Sequence, residues 1–184
     1  MNAQQPGSAY VIEERQEPLG KHTLAVLVDN EPGVLARVIG LFSGRGYNIE
    51  SLTVSETEHE KHLSRITIVT SSTLPVVEQV IHQLERLVPV HSVINISATE
   101  DQVERELCLV KVRGSGENRL EALRLAQAFN AKTVDATLES FVFELSGRTV
   151  EIDRFINVMT AVGLIEAART GVVAMTRGEE GMRE

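Results

Sequence analysis

The chain has 184 residues, 42% hydrophobic and 24% charged, with 18 Lys and Arg against 26 Asp and Glu for a formal net charge of −8. That balance suits a soluble globular protein with a buried core and argues against a polyanion partner such as nucleic acid, whose phosphates need clustered basic side chains. A single cysteine, Cys108, leaves no intramolecular disulfide or thiol pair and fits a reducing cytoplasm.

Residues 1–21, beginning "MNAQQPGSAYVIEERQEPLG", carry neither an apolar run nor an Arg-rich amphipathic pattern, and are expected to form a mobile tail rather than a signal or transit peptide. No apolar stretch is long enough to cross a bilayer. A cytoplasmic protein with no membrane partner is expected.

From His22 a nearly continuous apolar run with Leu24, Val26 and Val28 predicts a central strand. The corner "DNEPGVLARV" follows, and Leu35, Val38, Ile39 and Phe42 then recur at helical spacing until Gly44 and Gly46 close the helix. "YNIESLTVSET" and "HLSRITIVTS" read as two β-branched strands joined around "EHEK". A second helix starts near Pro75 with Val77, Val80, Ile81 and Leu84 on one face, and "HSVINISATE" returns as a strand through Val93, Ile94 and Ile96. This βαββαβ order over residues 22–99 matches a ferredoxin-like sandwich, with two helices on one face of an antiparallel sheet. The other face, with Ser64, Thr67 and Thr70 polar but Val54, Leu63 and Val69 apolar, is expected to meet a partner.

After the acidic "ATEDQVERE", whose residues 100–105 are expected as a linker, the order restarts over 106–176. "LCLVKVRG" is a strand, and "NRLEALRLAQAFNA" a helix expected to bury Leu120, Leu123, Ala126 and Phe129. "KTVDATLES" and "FVFELSG" form a strand pair. Ile152, Phe155, Ile156 and Met159 mark a last helix, and "LIEAARTGVVAM" a last strand with a break at Gly171. Residues 177–184 are expected as a C-terminal tail. The fold class is therefore α+β, two tandem ferredoxin-like βαββαβ domains.

No catalytic or metal-binding set emerges. In "EHEKH", Glu58 to His62, the two histidines are three apart in a hairpin, so no helix aligns them as a zinc-protease motif requires. Cys108 sits in an apolar strand without a nearby base, "RGSGEN" lacks the Lys and Ser/Thr of a phosphate loop, and His82 and His91 read as surface or packing residues. The corner itself has two readings. It is good turn chemistry, with Asp29 or Asn30 as cap, Pro32 in the first turn and Gly33 for close packing. It is also a place where free backbone N–H groups can hold a carboxylate and Asn30 can reach either charged end of a zwitterionic amino acid.

The run "LAVLVDNEPGVLARVIGLFSGRGYNIESLTVSETE", above all "NEPGVL" and "RVIGLFSGRGYNIESLTV" (Arg37 to Val54), resembles the N-terminal ACT domain of the small, regulatory subunit of acetohydroxyacid synthase, also called acetolactate synthase. The likeness continues through "LVPVHSVINIS" into the second half. It implies an ACT domain at 22–99 in a non-catalytic protein that activates a separate catalytic subunit and confers feedback inhibition by branched-chain amino acids, usually valine. Thiamine diphosphate, magnesium and FAD would belong to the catalytic subunit, with no cofactor in this chain. The effector site would lie between the ACT domains of a homodimer: Asn30, Pro32, Gly33, Val34 and Leu35 on one wall, Asn48 and Ile49 of the second copy on the other. Pairing two first strands or two helix starts across a two-fold axis would repeat the pocket. A free-standing ACT sensor acting on a different partner has the same corner. An RNA-recognition module shares the strand order but needs aromatics on its central strands, which "TLAVLV" and "SRITIVT" lack.

Overall fold

The computed structural model describes residues 18–58, 60–99, 101–114, 116–179 and 181–182. The expected N-terminal tail lies outside them up to residue 17. Element order is β1 (Gly20–Asp29), α1 (Val34–Gly44), β2 (Ser51–Glu58), β3 (Leu63–Ser72), α2 (Leu74–Leu84), β4 (Val90–Asn95), a 3₁₀ turn (Ile96–Ala98), β5 (Gln102–Arg113), α3 (Glu117–Ala128), β6 (Lys132–Ala136), β7 (Ser140–Gly147), α4 (Thr149–Val162), β8 (Leu164–Arg169) and β9 (Val173–Thr176). The first sheet runs β2-β3-β1-β4 and the second β6-β7-β5-β8, with β9 joined to β5, and every pairing is antiparallel. Two ferredoxin-like units result.

In the first unit Leu24, Val26 and Val28 of β1 and Ile66 and Ile68 of β3 meet Val34, Val38 and Phe42 of α1 and Val77, Val80 and Leu84 of α2. The apolar stripe of α1 is thus Val34, Val38 and Phe42 with Leu41 beside it, and Leu35, expected inside, is 38% exposed. Val38 and Phe42 are buried as the spacing predicts, with Val34 in place of Leu35 in the first turn; Gly33, not Asp29 or Asn30, is the N-cap residue, and no side chain caps the helix. In the second unit Ala122 and Ala126 are buried in α3, with Leu125 and Phe129 packed against the core, while Leu120 and Leu123 are 62% and 37% exposed. Two small alanines let α3 lie close on β5, and the leucines expected inside rotate out. The last helix buries Ile152, Phe155 and Met159 as its spacing predicts.

The open face of the first sheet needs no second protein to cover much of it. Side chains alternate along a strand, so Ser64 and Thr70 share the helix side with Ile66 and Ile68, and Thr67 and Val69 face the other way. There Val69, Ala25 and Ile96 are buried against Val172 and Ala174, with Ile94 and Met182 packed alongside. Val54, which pairs with Ile66, sits on the helix side at the sheet edge and is exposed. The segment expected as a linker is strand from Gln102: residues Gln102 to Arg105 pair with Val173 to Thr176, so β5 and β9 form a ribbon lying across the first sheet. The break at Gly171 serves this return, since its φ of +85° turns the chain where an added Cβ would stand 2.7 Å from Ser51 Oγ. Val172 N–H donates to that oxygen at 3.0 Å, Thr23 Oγ1 donates to Glu104 at 3.0 Å, and Arg65 donates to the Ala174 carbonyl at 2.5 Å. Met182, in the expected C-terminal tail, packs into the same seam.

β1 lies between β3 and β4, so two first strands cannot pair across a two-fold axis, and only the edge strands β2 and β4 can extend this sheet.

Candidate functional site

The end of β1 is held from two sides. Asp29 N–H donates to the Pro89 carbonyl at 2.9 Å, Asn30 N–H donates to the His62 carbonyl at 2.6 Å, and His91 Nε2 lies 2.7 Å from Asp29 Oδ1. Neighbouring hairpin and β4 thus fix where the chain leaves the sheet. His91, expected as an isolated surface or packing residue, is part of this support. Gly33 then takes φ +89°, ψ −8°, a left-handed conformation that other residues reach only with strain, and space is open where its Cβ would be. Arg37 N–H donates to the Gly33 carbonyl at 3.1 Å and Val34 N–H reaches the Glu31 carbonyl only at 3.4 Å. Among the described residues the N–H groups of Leu35 and Ala36 find no acceptor. A helix start with free N–H groups beneath an exposed glycine attracts an anion.

Asn30, Pro32, Gly33 and Leu35 are exposed around this opening, whereas the Val34 side chain is buried in the core, so Val34 can offer a ligand only its backbone. Asn48 and Ile49 lie elsewhere. α1 ends in a turn through Gly46, φ +73°, where Tyr47 N–H donates to the Phe42 carbonyl at 3.0 Å and the two rings meet edge-on with centroids 6.2 Å apart. Asn48 follows, exposed, its carbonyl accepting from Thr70 Oγ1 at 2.6 Å, and Ile49 packs half-buried on the first core before β2 begins. The two sets sit at opposite ends of the 11-residue α1, about 16 Å apart at 1.5 Å per residue. One copy of the chain therefore cannot bring them together around one small ligand.

The other sequence candidates have structural roles. His59 lies outside the described residues, and His62 ends the hairpin turn with φ 54°. Among the described residues no group of three or more His, Cys, Asp or Glu could hold a metal. The "RGSGEN" loop is filled from within: Arg119 donates to the Gly114 and Thr137 carbonyls at 3.1 and 2.8 Å and lies 4.3 Å over the Phe141 ring. Cys108 is fully buried and burial pushes its thiol pKa up. No helix among the described residues is long and apolar enough to cross a membrane.

Residues 24–92, which span both Asn30 to Leu35 and Asn48 to Ile49, match the family described as the AHAS small subunit-like ACT domain, and residues 105–178 match the small subunit of acetolactate synthase. A probable acetolactate synthase small subunit of Archaeoglobus fulgidus is 51% identical over 160 residues, 87% of this chain and 99% of that one. The chain belongs to the acetolactate synthase small-subunit family. The Haemophilus influenzae small subunit is 43% identical over 161 residues, covering 87% of this chain and 98% of that one. The crystal structure of the Thermotoga maritima small subunit superposes with a TM-score of 0.80 at 38% identity, covering 88% of this chain and 99% of its own. The family likeness thus runs through both ferredoxin-like units and the seam between them.

Proposed function

We infer that this chain is the regulatory subunit of acetolactate synthase, which activates a separate catalytic subunit in the cytoplasm and confers feedback inhibition by branched-chain amino acids, valine foremost. The observation that carries this reading is the open helix start at Gly33, with free N–H groups and an exposed Asn30, whose complement around Asn48 stands at the far end of the same helix. A homodimer joined through its ACT domains would bring the corner of one copy to the Asn48 end of the other, twice per two-fold axis.

In that pocket the effector carboxylate lies over Gly33 against the Leu35 and Ala36 N–H groups, each a charge-assisted bond. The amides of Asn30 and of the second copy's Asn48 take the remaining polar groups. Leu35 and Ile49 supply apolar surface for the branched side chain, whose burial contributes about 1.5–3 kcal/mol. Because the walls come from two copies, occupancy alters the relative stability of dimer arrangements, and a coupling of about 1–3 kcal/mol is enough to change the partner's activity. Thiamine diphosphate, magnesium and FAD are expected on the catalytic subunit, where the bond-forming chemistry takes place.

The test mixes the chain with its catalytic subunit and follows acetolactate formation with and without valine. Activation that valine reverses is expected. Unchanged rates in every mixture would overturn the regulatory role and favour a sensor of a different partner.

A further inference from the structure

Between the first sheet and the β5–β9 ribbon lies a cleft of about 360 Å³, distinct from the Gly33 corner. Its floor carries the hydroxyls of Thr53, Ser55, Thr57 and Thr67, and its roof is apolar, with Val103, Val173 and Met175. Two arginines, Arg65 and Arg105, also line it, and no acidic side chain does among the described residues. Among the described residues no carboxylate lies within ion-pair distance of Arg65, whose guanidinium donates to the backbone carbonyl of Ala174. Burial holds its guanidinium pKa below the ordinary value, the mark of a cation with too little compensation. Arg105 donates to the carbonyl of Glu104 and, among the described residues, is in no ion pair, although its charge reaches the Glu151 carboxylate. Val173 and Met175 are 49% and 59% exposed, so the apolar roof reaches solvent at the mouth.

We propose that this interdomain cleft is a second small-molecule site, which takes a short aliphatic carboxylate lacking an ammonium group. The arginines match a single carboxylate, the hydroxyls can hydrogen-bond a 2-oxo or 2-hydroxy oxygen, and the roof covers a chain of a few carbons. An amino acid is disfavoured because its ammonium would enter a cleft with two cations and no anion among its described lining residues. The volume lies at the small end of ligand pockets, which fits a ligand of fewer than about ten heavy atoms. Since the floor belongs to the first unit and the roof to the ribbon, such a ligand would brace one unit against the other.

Isovalerate is the probe, with its uncharged amide as control, titrated into the full-length chain by saturation-transfer NMR and calorimetry. Isovalerate should bind and the amide should not. Arg65→Met should weaken isovalerate binding at least tenfold, and Gly33→Asp should leave it within twofold. Val173→Glu puts a carboxylate at the half-exposed mouth and should also weaken binding at least tenfold, which keeps the test sharp if Arg65→Met does not fold. The proposal is overturned if isovalerate fails to bind the parent chain, if Val173→Glu binds it as well as the parent, or if Gly33→Asp abolishes binding. That last result would place isovalerate in the corner.

Discussion

Replacing Gly33 by alanine separates the corner's turn chemistry from its binding chemistry. Gly33 has φ +89° and an added Cβ would meet nothing within 4 Å, so the stability cost is backbone strain alone, about 1–2 kcal/mol for a residue forced into the left-handed region. Gly163, the C-cap of α4, is the matched control: its φ is +109° and its nearest obstacle is Arg113 Cβ at 3.5 Å, ordinary contact distance. Gly33→Ala and Gly163→Ala should therefore lose similar stability in urea titrations followed by circular dichroism. Only Gly33→Ala puts a methyl group where the proposed effector's carboxylate would approach the Leu35 and Ala36 N–H groups. Losing hydrogen bonds to a charged group costs about 1.5–3 kcal/mol, which is roughly a 10- to 150-fold weaker affinity for valine by calorimetry. Equal valine affinity in the two variants, with equal loss of stability, would refute the assignment of those N–H groups to the ligand.

Other consequences concern the scaffold. Phe143→Ala empties a fully buried position in the second core and should cost about 3–5 kcal/mol, while Leu120→Ala, on the exposed side of α3, should change stability by less than about 0.5 kcal/mol; denaturant midpoints compare them, and similar losses would mean that the face of α3 is misassigned. The hydrogen bond from Ser71, with Lys21 adding a smaller share, holds the Glu50 carboxyl below its ordinary value of 4.5. A depressed folded pKa gives stability that is present above pH 4.5 and is lost as pH falls through the folded value, so Glu50→Gln should flatten the acid limb of the stability profile below about pH 4.5. Parallel profiles for parent and variant would contradict this. Cys108, buried with its pKa raised by desolvation, should resist a disulfide reagent at pH 8 in the native protein and react at once in guanidinium; rapid native labelling would contradict the burial.

The order of elements is legible in the sequence because each has a local signal. Apolar Leu and Val mark β1, an Ile, Thr and Val run marks β3 and Phe-Val-Phe marks β7, Pro75 opens α2, and Gly33, Gly46 and Gly163 stand at helix ends in the φ that glycine alone adopts freely. Helix faces are less legible. In α3 the leucines and the alanines have equivalent spacings, and only packing against β5 decides that Ala122 and Ala126 go inside. The ribbon of β5 and β9 gave no signal, since Gln102 to Arg105 and Val173 to Thr176 are about 70 residues apart and pair only after the second unit has formed. For the same reason the apolar positions of the open face read as a partner surface, although Val172 and Ala174 of the same chain cover them. At the candidate site, the Asn-Glu-Pro-Gly turn is contiguous and therefore readable, but its support by His62 and His91 joins residues distant in sequence. The proposed complement at Asn48 stands at the far end of α1, where no contact within one copy joins it to the corner.

The central claim is that one effector pocket needs two copies of the chain, and mixed dimers test it most directly. Gly33→Asp chains and Asn48→Ala chains, each homodimeric, should not bind valine, because every pocket has one damaged wall. When the two are unfolded together and refolded as a mixture, a mixed dimer gains one pocket made from an undamaged Gly33 corner and an undamaged Asn48 end. With random pairing, about a quarter of all pockets are then intact. Calorimetric titration of the mixture should recover valine binding at that stoichiometry with the parent affinity. A mixture as silent as its two components would contradict a pocket shared between copies, and so would valine binding by either variant alone at the parent affinity.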